Sequence, residues 1–123
     1  MPISYSLETS GIDVHVKIAG KVSPQDLIAY MRDLMLEFET LDGKRALIEV
    51  VSITPDGFRY ASMRDLAAQT KRFEPRLNGS RTAIFAESPI AFGLARMYTL
   101  TRNPPYAMSV FREREAALRW LLE

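Results

Sequence analysis

Residues 12–51 read IDVHVKIAGKVSPQDLIAYMRDLMLEFETLDGKRALIEVV, and the reading of this stretch decides the fold. It begins with strict alternation: Ile12, Val14, Val16 and Ile18 share one face and Asp13, His15 and Lys17 the other, the period of a strand with one wet side. Gly20-Lys21-Val22 ends that strand. Ser23-Pro24-Gln25-Asp26 then starts a helix, with a Ser oxygen to cap it, Pro at N1 where no donor is missed, and an acid at N3. Leu27, Ile28, Met31, Leu34, Met35 and Phe38 recur as the broad apolar stripe of a helix lying on a sheet. Leu41-Asp42-Gly43-Lys44 breaks the helix, and Ala46 to Val51 is nearly continuously apolar, as a central strand covered on both faces would be. Strand, helix and buried strand form a βαβ unit, which predicts a parallel pair joined by a right-handed crossover.

Working outward, residues 3–8 (ISYSLE) also alternate, and Thr9-Ser10-Gly11 is short enough for a hairpin turn, so an antiparallel pair is expected at the start. Downstream, Ser52 to Gly57 reads as a turn-rich loop. A second helix carries Met63, Leu66, Ala67, Thr70 and Phe73 on one side; Asp56, or Ser62 with Asp65, supplies its start, and Pro75 stops it. Asn78-Gly79 turns the chain into a strand, Arg81 to Ala86. Ser88-Pro89 caps a third helix, Ile90 to about Leu100, which ends at Thr101-Arg102-Asn103-Pro104-Pro105. Tyr106 to Phe111 is the last strand and Glu113 to Leu122 the last helix. The expected fold class is α/β: one domain over residues 1–123, with a single mixed, mostly parallel sheet, an N-terminal antiparallel hairpin and about four helices in the order ββαβαβαβα.

Composition narrows the function classes. There is no cysteine, which removes disulfides, thiolate metal ligands and thiol nucleophiles. The formal charge of +1 offers no phosphate track for nucleic acid, and the short basic runs Lys71-Arg72 and Arg112 to Arg114 read as solvated faces. No apolar run approaches the roughly 20 residues of a membrane span, and the N-terminal residues lack a signal-like pattern, so a cytoplasmic address is expected.

The element order, the segment Ser88-Pro89-Ile90-Ala91-Phe92-Gly93 leading into Leu94-Ala95-Arg96-Met97-Tyr98, and the ending Val110-Phe111-Arg112 with Glu115 to Leu121 resemble the SpoIIAA-like superfamily. That group holds the anti-anti-sigma-factor (STAS) domains and, more distantly, the CRAL-TRIO lipid carriers. The likeness spans essentially the whole chain, looks most like the uncharacterised bacterial branch, and implies a packing pattern rather than a chemistry. In the anti-anti-sigma factors a phosphorylatable Ser follows an Asp in the loop after the third strand. The matching loop here, Val51 to Phe58, lacks the Asp-Ser-Ser/Thr-Gly run and leaves Ser52 and Thr54. The CRAL-TRIO relatives are larger and add elements that wall a lipid cavity.

Neither a catalytic nor a metal or cofactor site emerges from motifs: the glycines form no GxGxxG and no GxxxxGK followed by Ser or Thr. His15, the only histidine, lies on the polar face of a strand and reads as solvated. Glu49 shares a face with Leu47 and Val51 in the central strand, where an acid needs a partner; Arg81, Arg59 and Lys17 are the expected ones. Glu49, Ser52, Thr54, Arg59 and Ser88 make up a candidate polar site, Ser88 because helix N-termini at strand ends attract anions. The third helix has apolar residues around much of its circumference, implying a second buried face. Phe92, Arg96, Met97, Tyr98, Arg102 and Tyr106 are therefore the candidate interface.

The leading functional reading is a non-catalytic protein-interaction or regulatory module that self-associates or docks a partner through that helix. The alternative is a small carrier or sensor of an apolar ligand such as a lipid. Met31, Met35, Met63, Met97, Met108, Phe38, Phe58 and Phe92 could line its pocket, which should reach several hundred cubic ångströms. An enzyme built on Glu49 with Tyr60 or His15 ranks third and requires those residues to converge.

Overall fold

A computed structural model describes residues 3–9, 11–102, 104 and 106–123, without the side chains of Glu8, Thr9 and Tyr60. Strands β1 (Ile3–Thr9), β2 (Ile12–Val22), β3 (Arg45–Pro55), β4 (Arg81–Ala86) and β5 (Ala107–Phe111) form one sheet in that spatial order. The β1–β2 pair is antiparallel and every other pair is parallel. Helices α1 (Pro24–Glu37), α2 (Tyr60–Lys71), α3 (Glu74–Leu77) and α4 (Pro89–Arg102) occupy the crossovers, and α5 (Arg114–Leu122) follows β5. Four successive parallel strands advancing in one direction through right-handed crossovers must place all their helices on the same face. Accordingly, Val14, Val16, Val50, Ile84 and Ala91 belong to one apolar cluster, while Leu47, Ala83, Ala117 and Leu121 form a separate one under α5.

The local chemistry of α1 is as the sequence predicts. Ser23 Oγ accepts from the Asp26 amide at 3.3 Å, and the Asp26 carboxylate accepts from the Ser23 amide at 2.8 Å, a complete capping box. The far end of α1 has no basic residue in its last turn; Arg76 of α3 serves instead, donating to the carbonyls of Met35 (2.6 Å), Glu39 (2.9 Å) and Phe38.

Three expectations about local structure are corrected. The segment from Ser52 is not a loop: β3 continues to Pro55 because Gly20, at φ +76°, lets β2 shift register and go on pairing Lys21 with Thr54 and Val22 with Pro55. Pro55 closes the strand where its missing donor costs nothing, and the next amide, Asp56, donates to Val22 O at 2.8 Å. Pro75 does not stop α2, which ends at Lys71; it lies in the first turn of α3, where proline is tolerated. The start of α2 also differs, since Arg59 occupies the N-cap and its amide donates to Ser62 Oγ at 2.6 Å. Ser10 of the first turn and Asn103 and Pro105 of the double-proline segment lie outside the described residues.

Candidate functional sites

Three places in the fold carry more than packing: a charged cluster on the α5 face, an apolar cavity beneath α1, α2 and α4, and the outer side of α4.

On the α5 face, Glu49 is 7% exposed and each of its carboxylate oxygens has its own donor. His15 Nε2 bonds Oε2, and Arg114 Nε donates to Oε1 at 2.5 Å. An ionised carboxylate only accepts, so Nε2 carries the hydrogen of this bond. Burial by itself would raise the Glu49 pKa, but the bonds and charges of Arg114 and His15 outweigh it and hold the carboxyl below its ordinary 4.5. The partners expected from sequence are thus replaced. Lys17 is the Cα partner of Glu49 in the register yet is solvent-exposed, Arg81 stacks 4.4 Å over the Trp120 ring, and Arg59 is exposed at the start of α2. His15, expected to be solvated, has a side chain only 16% exposed. Both requirements of a carboxylate-oriented imidazole are met. Ser6, directly across from His15 on β1, is exposed, and among the described residues no hydroxyl bonds the imidazole. The side chain of Tyr60 lies outside the described residues. Chemically, the cluster ties the first residue of α5 to the central strand.

The remaining members of the expected polar site do not join Glu49. Ser52 and Thr54 are exposed at the end of β3, and Ser88 Oγ caps α4 by accepting from the Ala91 amide at 3.2 Å. Among the described residues no group of three or more His, Cys, Asp or Glu side chains could hold a metal ion.

The sheet's other face, under three helices, holds a partly open cavity of about 150 Å³. Ile48 sits mid-strand in the central β3, yet stays partly accessible because it faces this space. Of the flexible and aromatic residues expected to line a pocket, Met31, Met63, Met108 and Phe58 do, whereas Met35, Phe38, Met97 and Phe92 do not. The volume lies below the several hundred cubic ångströms expected for a lipid-sized pocket and well above the voids of a close-packed core.

Five lining groups, Tyr30, Tyr98, Tyr106, Thr70 and Thr82, introduce polarity. Thr70 Oγ1 donates to Leu66 O at 3.0 Å, so at its 3.1 Å contact with Tyr98 the phenol is the donor. Burial pushes the Tyr106 phenol up to about 12 and that of Tyr30 higher still, with the other phenols adding to the effect at Tyr30; both stay neutral donors. Behind this wall Arg102, 6% exposed, is ion-paired to Glu74, and its Nε has no acceptor.

That arrangement corrects the expected interface. Tyr98, Arg102 and Tyr106 turn inward, and Phe92 is half-buried against the core with Arg96 and Arg112 over its ring at 5.9 and 5.4 Å. Arg96 and Met97 remain outside. The residues actually displayed on the outer face of α4 are Ile90 (62% exposed), Gly93, Met97 (37%) and Leu100 (71%). Their spacing of three, four and three residues is one continuous helical stripe. Among the described residues no helix is long and apolar enough to cross a membrane.

No family model matches the chain, and no curated protein does. Among solved structures, an uncharacterized protein of the DUF3478 family with a SpoIIAA-like fold, from Shewanella loihica, is similar at 19% identity. The match covers 97% of this chain and 93% of that one, with a TM-score of 0.61.

Proposed function

We propose, taking the SpoIIAA-like fold as premise, that residues 1–123 form a single non-catalytic interaction module that self-associates through the outer face of α4. The carrying observation is the stripe Ile90, Gly93, Met97, Leu100. Within it Gly93 is telling, because glycine inside a helix costs about 1 kcal/mol relative to alanine and a Cβ there would meet nothing within 4 Å in its own chain. The chain therefore gains nothing internally from the glycine. A second copy would. If two α4 helices pack antiparallel about a two-fold axis near position 95, Met97 of one copy lies over Gly93 of the other and Ile90 over Leu100. Near the axis a large residue then opposes a small one, two aliphatic residues meet at each end, and a single self-complementary patch suffices. The presence of regulatory interaction domains among proteins of this fold points the same way by analogy.

Analytical ultracentrifugation across the micromolar range tests the reading. The wild-type chain should dimerise, and Leu100→Glu and Gly93→Leu should be monomeric with unchanged circular dichroism. Gly93→Ala should raise the stability of the monomer by up to about 1 kcal/mol, since only the helix term is changed there. A wild-type chain that stays monomeric at high micromolar concentration refutes the proposal.

A further inference from the structure

We infer that the cavity beneath α1, α2 and α4 binds a compact, neutral, largely apolar molecule, the size of one substituted aromatic ring and bearing a single hydroxyl or carbonyl group. This goes beyond self-association and stands or falls separately from it.

Size is set by the volume. A dry apolar cavity of about 150 Å³ accommodates benzene, whereas drug-sized and lipid pockets run to about 300–1,000 Å³; at 150 Å³ this one admits a single ring or a short branched chain and excludes two acyl tails. Charge is set by the lining, which among the described residues contains no Asp, Glu, Lys, Arg or His. Arg102, 5.7 Å from the Tyr106 ring, is already paired with Glu74, so a ligand carboxylate would be buried without a free counter-charge among the described residues. The single polar group follows from the hydroxyls. Tyr30 from α1, Tyr98 from α4 and Tyr106 before β5 all line the space, and Tyr98 is fixed there by its 3.1 Å contact with Thr70 Oγ1, so phenols from three parts of the chain enter an otherwise apolar wall. Thr82, also on the wall, is buried. A ligand hydroxyl or carbonyl there meets the phenols of Tyr30 and Tyr106, already desolvated, while the Tyr98 hydrogen stays on Thr70, and its ring meets Ile48, Ile84 and Met108. Three methionines in the lining supply side chains able to adjust to the ring's outline.

The test is methyl NMR titration of the full chain with 4-methylphenol, toluene and hexadecanoic acid as probes. Saturable shifts of the Ile48, Ile84 and Met108 methyls are expected with both ring compounds, 4-methylphenol binding severalfold more tightly than toluene. Ala95→Leu and, independently, Ile48→Phe fill the space from the helix and strand sides. Each should weaken 4-methylphenol at least tenfold while circular dichroism stays unchanged; should either variant fail to fold, the location of the wild-type shifts decides. Absence of saturable shifts with both ring probes overturns the inference, as do shifts confined to residues outside the lining. Tighter binding of hexadecanoic acid than of 4-methylphenol overturns the size argument and with it the ligand class.

Discussion

Replacing Glu49 by Gln keeps the size of the side chain and one acceptor oxygen but removes the charge that two donors share. Hydrogen bonds to a charged group contribute about 1.5–3 kcal/mol and neutral ones about 0.5–1.5, so each bond should lose roughly 1 kcal/mol. The Arg114 side chain is 50% exposed, and water screens its share, whereas His15 is mostly covered. The expected loss at neutral pH is therefore about 1–2 kcal/mol, or roughly 3–10 °C in Tm for a domain of this length. The pH dependence is more specific. Because the folded-state pKa of Glu49 lies below its ordinary 4.5, its contribution is fully present above that value and is lost as the pH falls through the depressed one. Wild-type stability should drop progressively below pH 4.5, and E49Q should show a shallower acid limb. Urea denaturation at pH 7 and at intervals down to pH 3, with the m-value held constant, measures both quantities. A Glu49→Gln chain within half a kcal/mol of wild type at pH 7, with an identical acid limb, would refute the view that this cluster anchors α5.

Two further substitutions probe the frame around the sites. Gly79→Ala should destabilise the chain by more than 2 kcal/mol in the same urea assay, because Gly79 holds φ +82° and a Cβ there would sit 1.8 Å from Asp42 Oδ1. Arg102→Met should lower stability by about 2–4 kcal/mol, since it leaves the Glu74 carboxylate without the cation that pairs it and strips Tyr98 and Tyr106 of their charged neighbour; a loss below 1 kcal/mol would show that the buried ion pair contributes little.

Much of the frame was legible because its signals are periodic and local. The alternation in residues 12–18, the capping box at Ser23 and Asp26 and the apolar run of β3 each specify one element, whereas the spatial order β1-β2-β3-β4-β5 is a tertiary outcome that no local pattern states. The partners of Glu49 were not legible, and the reason is register. Pairing sets Lys17 against Glu49 and His15 against Leu47, so His15 reaches the carboxylate diagonally, a contact that depends on a strand offset no local pattern encodes. Arg114 was missed because nothing in a nine-residue amphipathic helix states on which face of a sheet it will dock. A usable signal did exist for α4. Ala91, Ala95, Tyr98 and Arg102 fall at helical spacing, and the two alanines mark the side that approaches other elements closely. Reading Arg and Tyr as surface residues by type obscured that spacing.

The same helix explains why the two proposals can be separated experimentally. Ala91, Ala95 and Tyr98 face the cavity, whereas Ile90, Gly93, Met97 and Leu100 face outward, so inner and outer functions occupy opposite sides of one rigid element. Leu100→Glu alters only the outer side and should leave 4-methylphenol binding unchanged; Ala95→Leu alters only the inner side and should leave the sedimentation profile unchanged. Each variant is thereby a folding control for the other. Were Ala95→Leu to abolish dimerisation, the displaced inner packing would have rotated or shifted the outer stripe, and α4 would be a coupling element between ligand and partner rather than a wall shared by two independent sites.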